Sequence, residues 1–172
     1  HAKGVEWLNI YAVDNVLQRI ADPVFVGATI ASGVNCGAKV ICKTNPYEKV
    51  GVLCMDGNKP DIIEYYELTE EMANQKDENG DLAYIYGAIM NYLFRLSTLE
   101  EIVSQKIPVH IVEKKIECLC EDGVTRKPEK ENGKKFELLA VDLIKLVGSV
   151  LPYVVVREKE FAPIKNKTGV DS

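Results

Sequence analysis

The sequence contains neither G-x-G-x-x-G nor the P-loop pattern G-x-x-x-x-G-K-S/T, so it carries no main glycine-rich phosphate cradle of its own. It has only 2 histidines, and no Ser/His/Asp or Cys/His set stands out, which argues against nucleophilic hydrolysis. No apolar run approaches the length of a membrane span. No basic start, apolar middle and small-residue cleavage site marks a secretory leader. Positive charge is scarce as well: 21 Lys+Arg against 26 Asp+Glu leave a net charge of −5. That disfavours nucleic acid or an anionic membrane as the main partner, while leaving room for a small local phosphate site.

Cysteine usage points the same way. The 5 thiols, Cys36, Cys42, Cys54, Cys118 and Cys120, are odd in number and scattered, which is no disulfide framework and fits a reducing, cytoplasmic setting. Cys118-x-Cys120 lacks a second Cys or His pair at zinc-site spacing and is expected on a half-buried strand. In such a setting the glycosylation pattern Asn166-Lys167-Thr168 is coincidental.

What is present is an ordinary globular composition, 172 residues with 47% apolar, enough for one domain or a large piece of one. The chain starts at His1 and ends on a polar stretch from Asn166 to Ser172, so it is expected to be an excerpt of a longer protein. Val5 to Val13 is nearly continuous apolar sequence, the pattern of a strand buried on both faces in a parallel sheet. Asp22-Pro23 supplies a cap and a first-turn proline for a helix running to Gly33, apolar all round and expected to be buried. Gly37 to Lys43 is a second strand. Val50–Met55 and Asp61–Tyr66 flank a glycine-containing connection and predict a hairpin. Thr69 opens a short helix, and Tyr84 to Leu96, rich in aromatics, is expected as a strand.

Further on, Ser97 to Glu101 holds two overlapping capping boxes, and Glu121 to Lys135 is a polar surface excursion. Phe136, Leu139, Leu143 and Val147 fall on one face of a predicted helix over 136–147, followed by a strand over 151–157. No internal repeat is present. Alternating strands and helices with one inserted hairpin predict an α/β fold with a mixed, mainly parallel sheet.

In open α/β sheets ligands bind at the carboxyl ends of strands, and Asp14 stands at such an end. A carboxylate there can hold a hard cation such as Mg²⁺ together with substrate phosphates. Alternatively, Asp14 and Asn15 cap a following helix; local sequence leaves both open. Lys39, Lys43, Lys134, Lys135 and Lys165 are candidate phosphate partners. Lys134-Lys135 gains weight by following a glycine at an expected helix start, where backbone N–H groups favour anions. Lys165, after a proline in a terminal loop, sits where a loop can close over a site. Glu64, inside "IIEYYE", can accept hydrogen bonds from sugar hydroxyls, or simply face solvent. His110 is expected to be structural or exposed.

Five stretches occur in register: "IYAVDNVL..IADPVFVG", "GAKV..KTNPYEKVGVLC", "IIEYYEL", "NGKKFE" and "REKEFAPIKN". Together they resemble the eukaryotic UDP-N-acetylglucosamine (UDP-N-acetylhexosamine) pyrophosphorylases over nearly the whole chain. The resemblance implies a Rossmann-like nucleotidyltransferase fold. Residues 1–172 would be part of the central catalytic domain, lacking its N-terminal glycine-rich loop. The reaction it implies joins UTP to N-acetylglucosamine-1-phosphate and releases pyrophosphate, with Mg²⁺ as cofactor and no turnover by this piece alone.

By the same resemblance, Asp14 matches the Mg²⁺-associated aspartate and Ala12 a backbone position beside the nucleotide. Gly51, Glu64 and Tyr65 match the sugar-binding wall. Lys135 matches a lysine near the UTP phosphates, and Lys165 one on the sugar-phosphate side. "YGAIMNY" stands where the family usually has "AGNIANH", so Ala88 replaces an asparagine that contacts the sugar. Leu139 and Val141 replace phenylalanines. Readings kept beside this one are a UDP-glucose or UDP-sugar pyrophosphorylase, a UDP-sugar-dependent glycosyltransferase, which would want a D-x-D pair that Asp14-Asn15-Val16 lacks, and a non-catalytic sensor of nucleotide sugar.

Overall fold

The computed structural model describes residues 2–169; His1 and the end of the polar tail, Val170 to Ser172, lie outside the described residues. Elements follow in chain order as β1 (Trp7–Tyr11), α1 (Pro23–Ala31), β2 (Cys36–Cys42), β3 (Val52–Asp56), β4 (Lys59–Ile63), α2 (Glu70–Asn74), β5 (Tyr86–Arg95), α3 (Leu96–Ile102), β6 (His110–Lys114), β7 (Cys118–Leu119), β8 (Thr125–Arg126), β9 (Gly133–Glu137), α4 (Asp142–Val147), β10 (Val150–Val154) and α5 (Arg157–Glu160). Among the described residues no helix is long and apolar enough to cross a membrane.

The fold is mixed α/β, as the alternation of elements predicts, and its main sheet is mixed. The expectation that this sheet is mainly parallel is corrected. Its order is β10-β2-β5-β3-β4, with β1 also on β5, and only β10 against β2 is parallel. The reason lies in β5. Strands β1, β2 and β3 all run antiparallel to it, so they share one direction, but β5 is inserted between them and reverses every contact it makes. β1 is accordingly not buried on both faces; its residues are half-buried or exposed.

Local signals explain most element starts. Asp22 caps α1 by accepting from the Val24 N–H at 3.1 Å, with Pro23 in the first turn. The helix is not buried all round: Phe25 and Thr29 are buried, whereas Val24 and Ile30 are exposed. Its buried side lies so close to β2 that a Cβ on Gly37 would fall 2.2 Å from Thr29 Oγ1, a contact only glycine permits. The hairpin is β3–β4, turning at Gly57 with φ of 62°, and Thr69 caps α2. The tandem capping boxes near Ser97 are unused, because α3 begins at Leu96 without a side-chain cap.

The predicted helix over 136–147 is corrected in its first half. Gly133–Glu137 pairs antiparallel with His110–Lys114 as a two-stranded ribbon, and Phe136 is exposed on it. Only Asp142–Val147 is helical, ending at Gly148 in the left-handed region. The core packs Ile144 and Val147 of α4 and Ile102 of α3 against Ala38, Val40, Tyr92 and Phe94 of the sheet. A smaller cluster of Ile41, Ile89 and Val155 lies apart from it.

Candidate functional site

β1 and β3 use the same edge of β5 at different heights. β1 ends opposite Asn91, and Ala12 N–H donates to Met90 O at 2.9 Å. β3 begins opposite Gly87, and Ala88 N–H donates to Gly51 O at 2.7 Å. Between these points the edge of β5 is uncovered, and a cavity of about 310 Å³ opens there, beside the carboxyl end of β1.

A bulge shapes its floor. The register of β2 on β5 shifts between Ala38 and Val40, and Met90 takes a φ of 50°, a left-handed conformation that costs a non-glycine residue energy. Met90 then lines the cavity, while Asn91, fully buried, turns to the other side. There it accepts from Asn9 Nδ2 at 2.8 Å and donates to Gln18 Oε1 and Arg19 O. Gln18 Nε2 in turn donates to Ala12 O. The loop carrying Asp14 is thus held from beneath by side-chain amides, Asn91 buried and Asn9 and Gln18 half-buried.

Ala12, Asp14, Gly51, Glu64, Tyr65 and Lys165, singled out from the sequence, all line this cavity, as does Ala88. Lys165 Nζ lies 3.8 Å from Asp14 Oδ2. Glu64 and Tyr65 follow β4, on the wall beside Gly51, where a Cβ would meet Ile62 at 3.1 Å and Glu64 Oε1 at 3.5 Å. Burial raises the Glu64 carboxyl above its usual value; the charges of Glu67 and Asp142 add to the rise, and His110 and Lys165 oppose it.

Other expected positions fall elsewhere. Lys135 does not line the cavity; it stands on β9 and pairs with Glu137, so the helix-start argument for Lys134-Lys135 does not hold. Lys39 is unavailable to phosphate: its side chain is fully buried, with Nζ 2.5 Å from Glu160 Oε2 and 3.3 Å from Asp22 Oδ2. Lys43 is also buried and donates to Pro46 O. His110 meets Asp142 at 3.0 Å. Asp14 and Asn15 cap no helix, since the next begins at Pro23 under Asp22.

Sequence reasoning missed Lys49, Met90, Ala140 and Tyr92 as lining residues; the bulge that places Met90 has no local sequence signal. Among the described residues no cluster of three or more His, Cys, Asp or Glu is assembled for a metal. Mg²⁺ needs no such cage, because it binds through one or two carboxylates plus substrate phosphates and water. Asp14, partly exposed on the cavity wall, suits that mode.

A mixed α/β sheet with a crevice outside the carboxyl end of a strand places the chain among the ligand-binding α/β folds. Within this class, the chain belongs to the UTP–glucose-1-phosphate uridylyltransferase family, whose profile matches residues 1–170. It is 38% identical over 172 residues to the UDP-N-acetylhexosamine pyrophosphorylase-like protein 1 of Mus musculus, covering 98% of this chain and 34% of that protein. It is 37% identical to the UDP-N-acetylglucosamine pyrophosphorylase of Saccharomyces cerevisiae, covering 97% of this chain and 36% of that protein. The crystal structure of the uridine diphosphate N-acetylglucosamine pyrophosphorylase from Trypanosoma brucei superposes with a TM-score of 0.81 at 28% identity, over 98% of this chain and 33% of that one. The chain therefore spans about a third of the length of the curated relatives it matches.

Proposed function

We propose that the complete protein joins UTP and N-acetylglucosamine-1-phosphate to give UDP-N-acetylglucosamine and pyrophosphate, and that this chain is the later part of its central catalytic domain. The carrying observation is one cavity at the end of β1 lined by Asp14, Lys165, Glu64, Tyr65 and Gly51 together. The names of the curated relatives support the same reading.

A phosphate oxygen of the sugar phosphate attacks the α-phosphorus of UTP. A new P–O bond forms as the bond from that phosphorus to the α–β bridging oxygen breaks, and pyrophosphate leaves with the electron pair. No proton must be removed from an already ionised phosphate, so the protein's task is to align two anions and offset their charge. Lys165 supplies a cation at the sugar phosphate. Glu64 accepts from sugar hydroxyls, with Gly51 leaving room for the ring beside it. Ala12 lies by the nucleotide. Asp14 is the carboxylate suited to Mg²⁺, which when bound neutralises phosphate charge. Lys135, away from the cavity, enters as a partner of the UTP phosphates on the resemblance alone. The main phosphate cradle is assigned to the remainder of the polypeptide. Free thiols among the described residues support a cytoplasmic setting.

A second reading, glucose-1-phosphate as acceptor, is favoured by Ala88, a side chain without hydrogen-bonding groups on the cavity wall. Pyrophosphate release by the complete protein from UTP with each sugar phosphate separates them. A higher kcat/KM with N-acetylglucosamine-1-phosphate is expected; a wide preference for glucose-1-phosphate overturns the first reading, and release with neither overturns both.

A further inference from the structure

Lys165 belongs to a segment, residues 161–169, that forms no helix and no strand. Yet it must be held at the cavity to meet a phosphate. Asn15, only 4% exposed, explains how. Its Nδ2 donates to Glu160 O at 2.8 Å and its Oδ1 accepts from Ala162 N–H at 2.9 Å. Backbone bonds continue the seam, from Val16 N–H to Ala162 O at 3.2 Å and from Ile164 N–H to Asp14 O at 2.9 Å. Below it, Glu160 is anchored to Lys39, which also binds Asp22.

We infer that Asn15 is a positioning residue, a two-way clamp that holds the 161–165 strap and thereby presents Lys165 to the sugar phosphate. The inference rests on the proposed function for its substrate. The chemistry requires a carboxamide, because one planar group must donate on one side and accept on the other. A carboxylate keeps the acceptor only, and an alkyl group keeps neither. The clamp is selective as well. The Asp14 loop has further attachments, Ala12 N–H to Met90 O, Gln18 to Ala12 O, and Asn91 to Arg19 O. The strap is fixed at its start by Phe161, whose N–H donates to Arg157 O and whose ring packs on Ile41, Ile89 and Val155; from Ala162 to Ile164 its hydrogen bonds are those of the Asn15 seam. Removing the carboxamide therefore loosens Lys165 before it loosens Asp14, and the damage falls on the sugar-phosphate side.

The test uses Asn15→Ala, Lys165→Met and the double variant in the complete protein, with steady-state kinetics and hydrogen exchange. For Asn15→Ala, KM for the sugar phosphate is expected to rise roughly tenfold or more, with KM for UTP within about twofold. The double variant is expected to be no worse than Lys165→Met by more than about twofold, the non-additivity of residues acting through one another. The Ala162 and Ile164 amides are expected to lose protection while Val40 and Ile41 of β2 keep theirs, which reports an intact fold. Unchanged protection at Ala162, equal losses for both substrates, or losses that multiply in the double variant overturn the clamp. Absence of uridylyl transfer in the unmodified protein overturns the proposed function instead, and the exchange measurement still reads the clamp.

Discussion

Lys165 Nζ and Asp14 Oδ2 stand 3.8 Å apart, brought from opposite ends of the chain to the same cavity wall. The lysine side chain is 59% exposed, and an ion pair so placed contributes at most about 1 kcal/mol to stability. Under the proposed function its place is explained by a third charge that the two groups share, an anionic substrate between a cation and a carboxylate suited to Mg²⁺. Lys165→Met is accordingly expected to raise KM for the sugar phosphate roughly tenfold while shifting the thermal midpoint by no more than about 2 °C. Steady-state kinetics beside thermal unfolding of the complete protein checks both.

The buried trio behind the site behaves in the opposite way. Lys39→Met leaves Glu160 buried without its cation and Asp22 with only the longer, solvent-exposed contact to Arg19 at 3.5 Å, so a loss of about 3–5 kcal/mol is expected at pH 7. The loss shrinks in acid. Burial opposes ionisation of Asp22, but the Val24 N–H and the Lys39 ammonium overcome it and hold the carboxyl below its ordinary 3.8. The stability it contributes is present above 3.8 and is lost as pH falls through the lower folded value. Urea unfolding of both proteins at neutral and acid pH reads the difference. A loss that stays constant with pH would contradict the account.

Glu64 carries the reverse shift. Its carboxyl is raised above 4.5 by burial first and by the Glu67 charge next. Between 4.5 and that higher folded value the native state binds more protons than the unfolded chain, so stability falls as pH rises. Glu64→Gln removes that cost. The variant is expected to gain thermal stability over the unmodified protein as pH is taken above 4.5, and to lose affinity for the sugar phosphate. Thermal scans across pH, with KM at neutral pH, measure the trade between stability and binding.

Local chemistry made much of this fold legible. Asp22-Pro23 announced α1, Asp56 to Pro60 announced the hairpin turn, and Thr69 announced α2, because caps and turns are short-range devices. Strand direction is not short-range. The antiparallel register of Trp7 with Arg95 depends on where β5 enters the sheet, and an apolar run reads alike in either direction. Phe136 and Leu139 matched a helical stripe, but pairing of Gly133–Glu137 with β6 overrode it.

For the site, the end of β1 was visible as Asp14, whereas its meeting with Lys165 was implied by family resemblance rather than spacing. Lys39 looked like any candidate cation, and only the structure places it in a fully buried pair of ion bridges. Asn15 was legible only as a cap, since its partners lie near the far end of the chain.

The most direct test of the central claim, that Asp14 faces the reacting phosphates, is kcat of the complete protein carrying Asp14→Asn. The substitution keeps shape and removes charge. A fall of at least ~100-fold is expected, the scale of losing one electrostatic contact in a preorganised site, with an unchanged thermal midpoint. Turnover close to that of the unmodified protein would contradict the claim and leave Asp14 an ordinary loop residue.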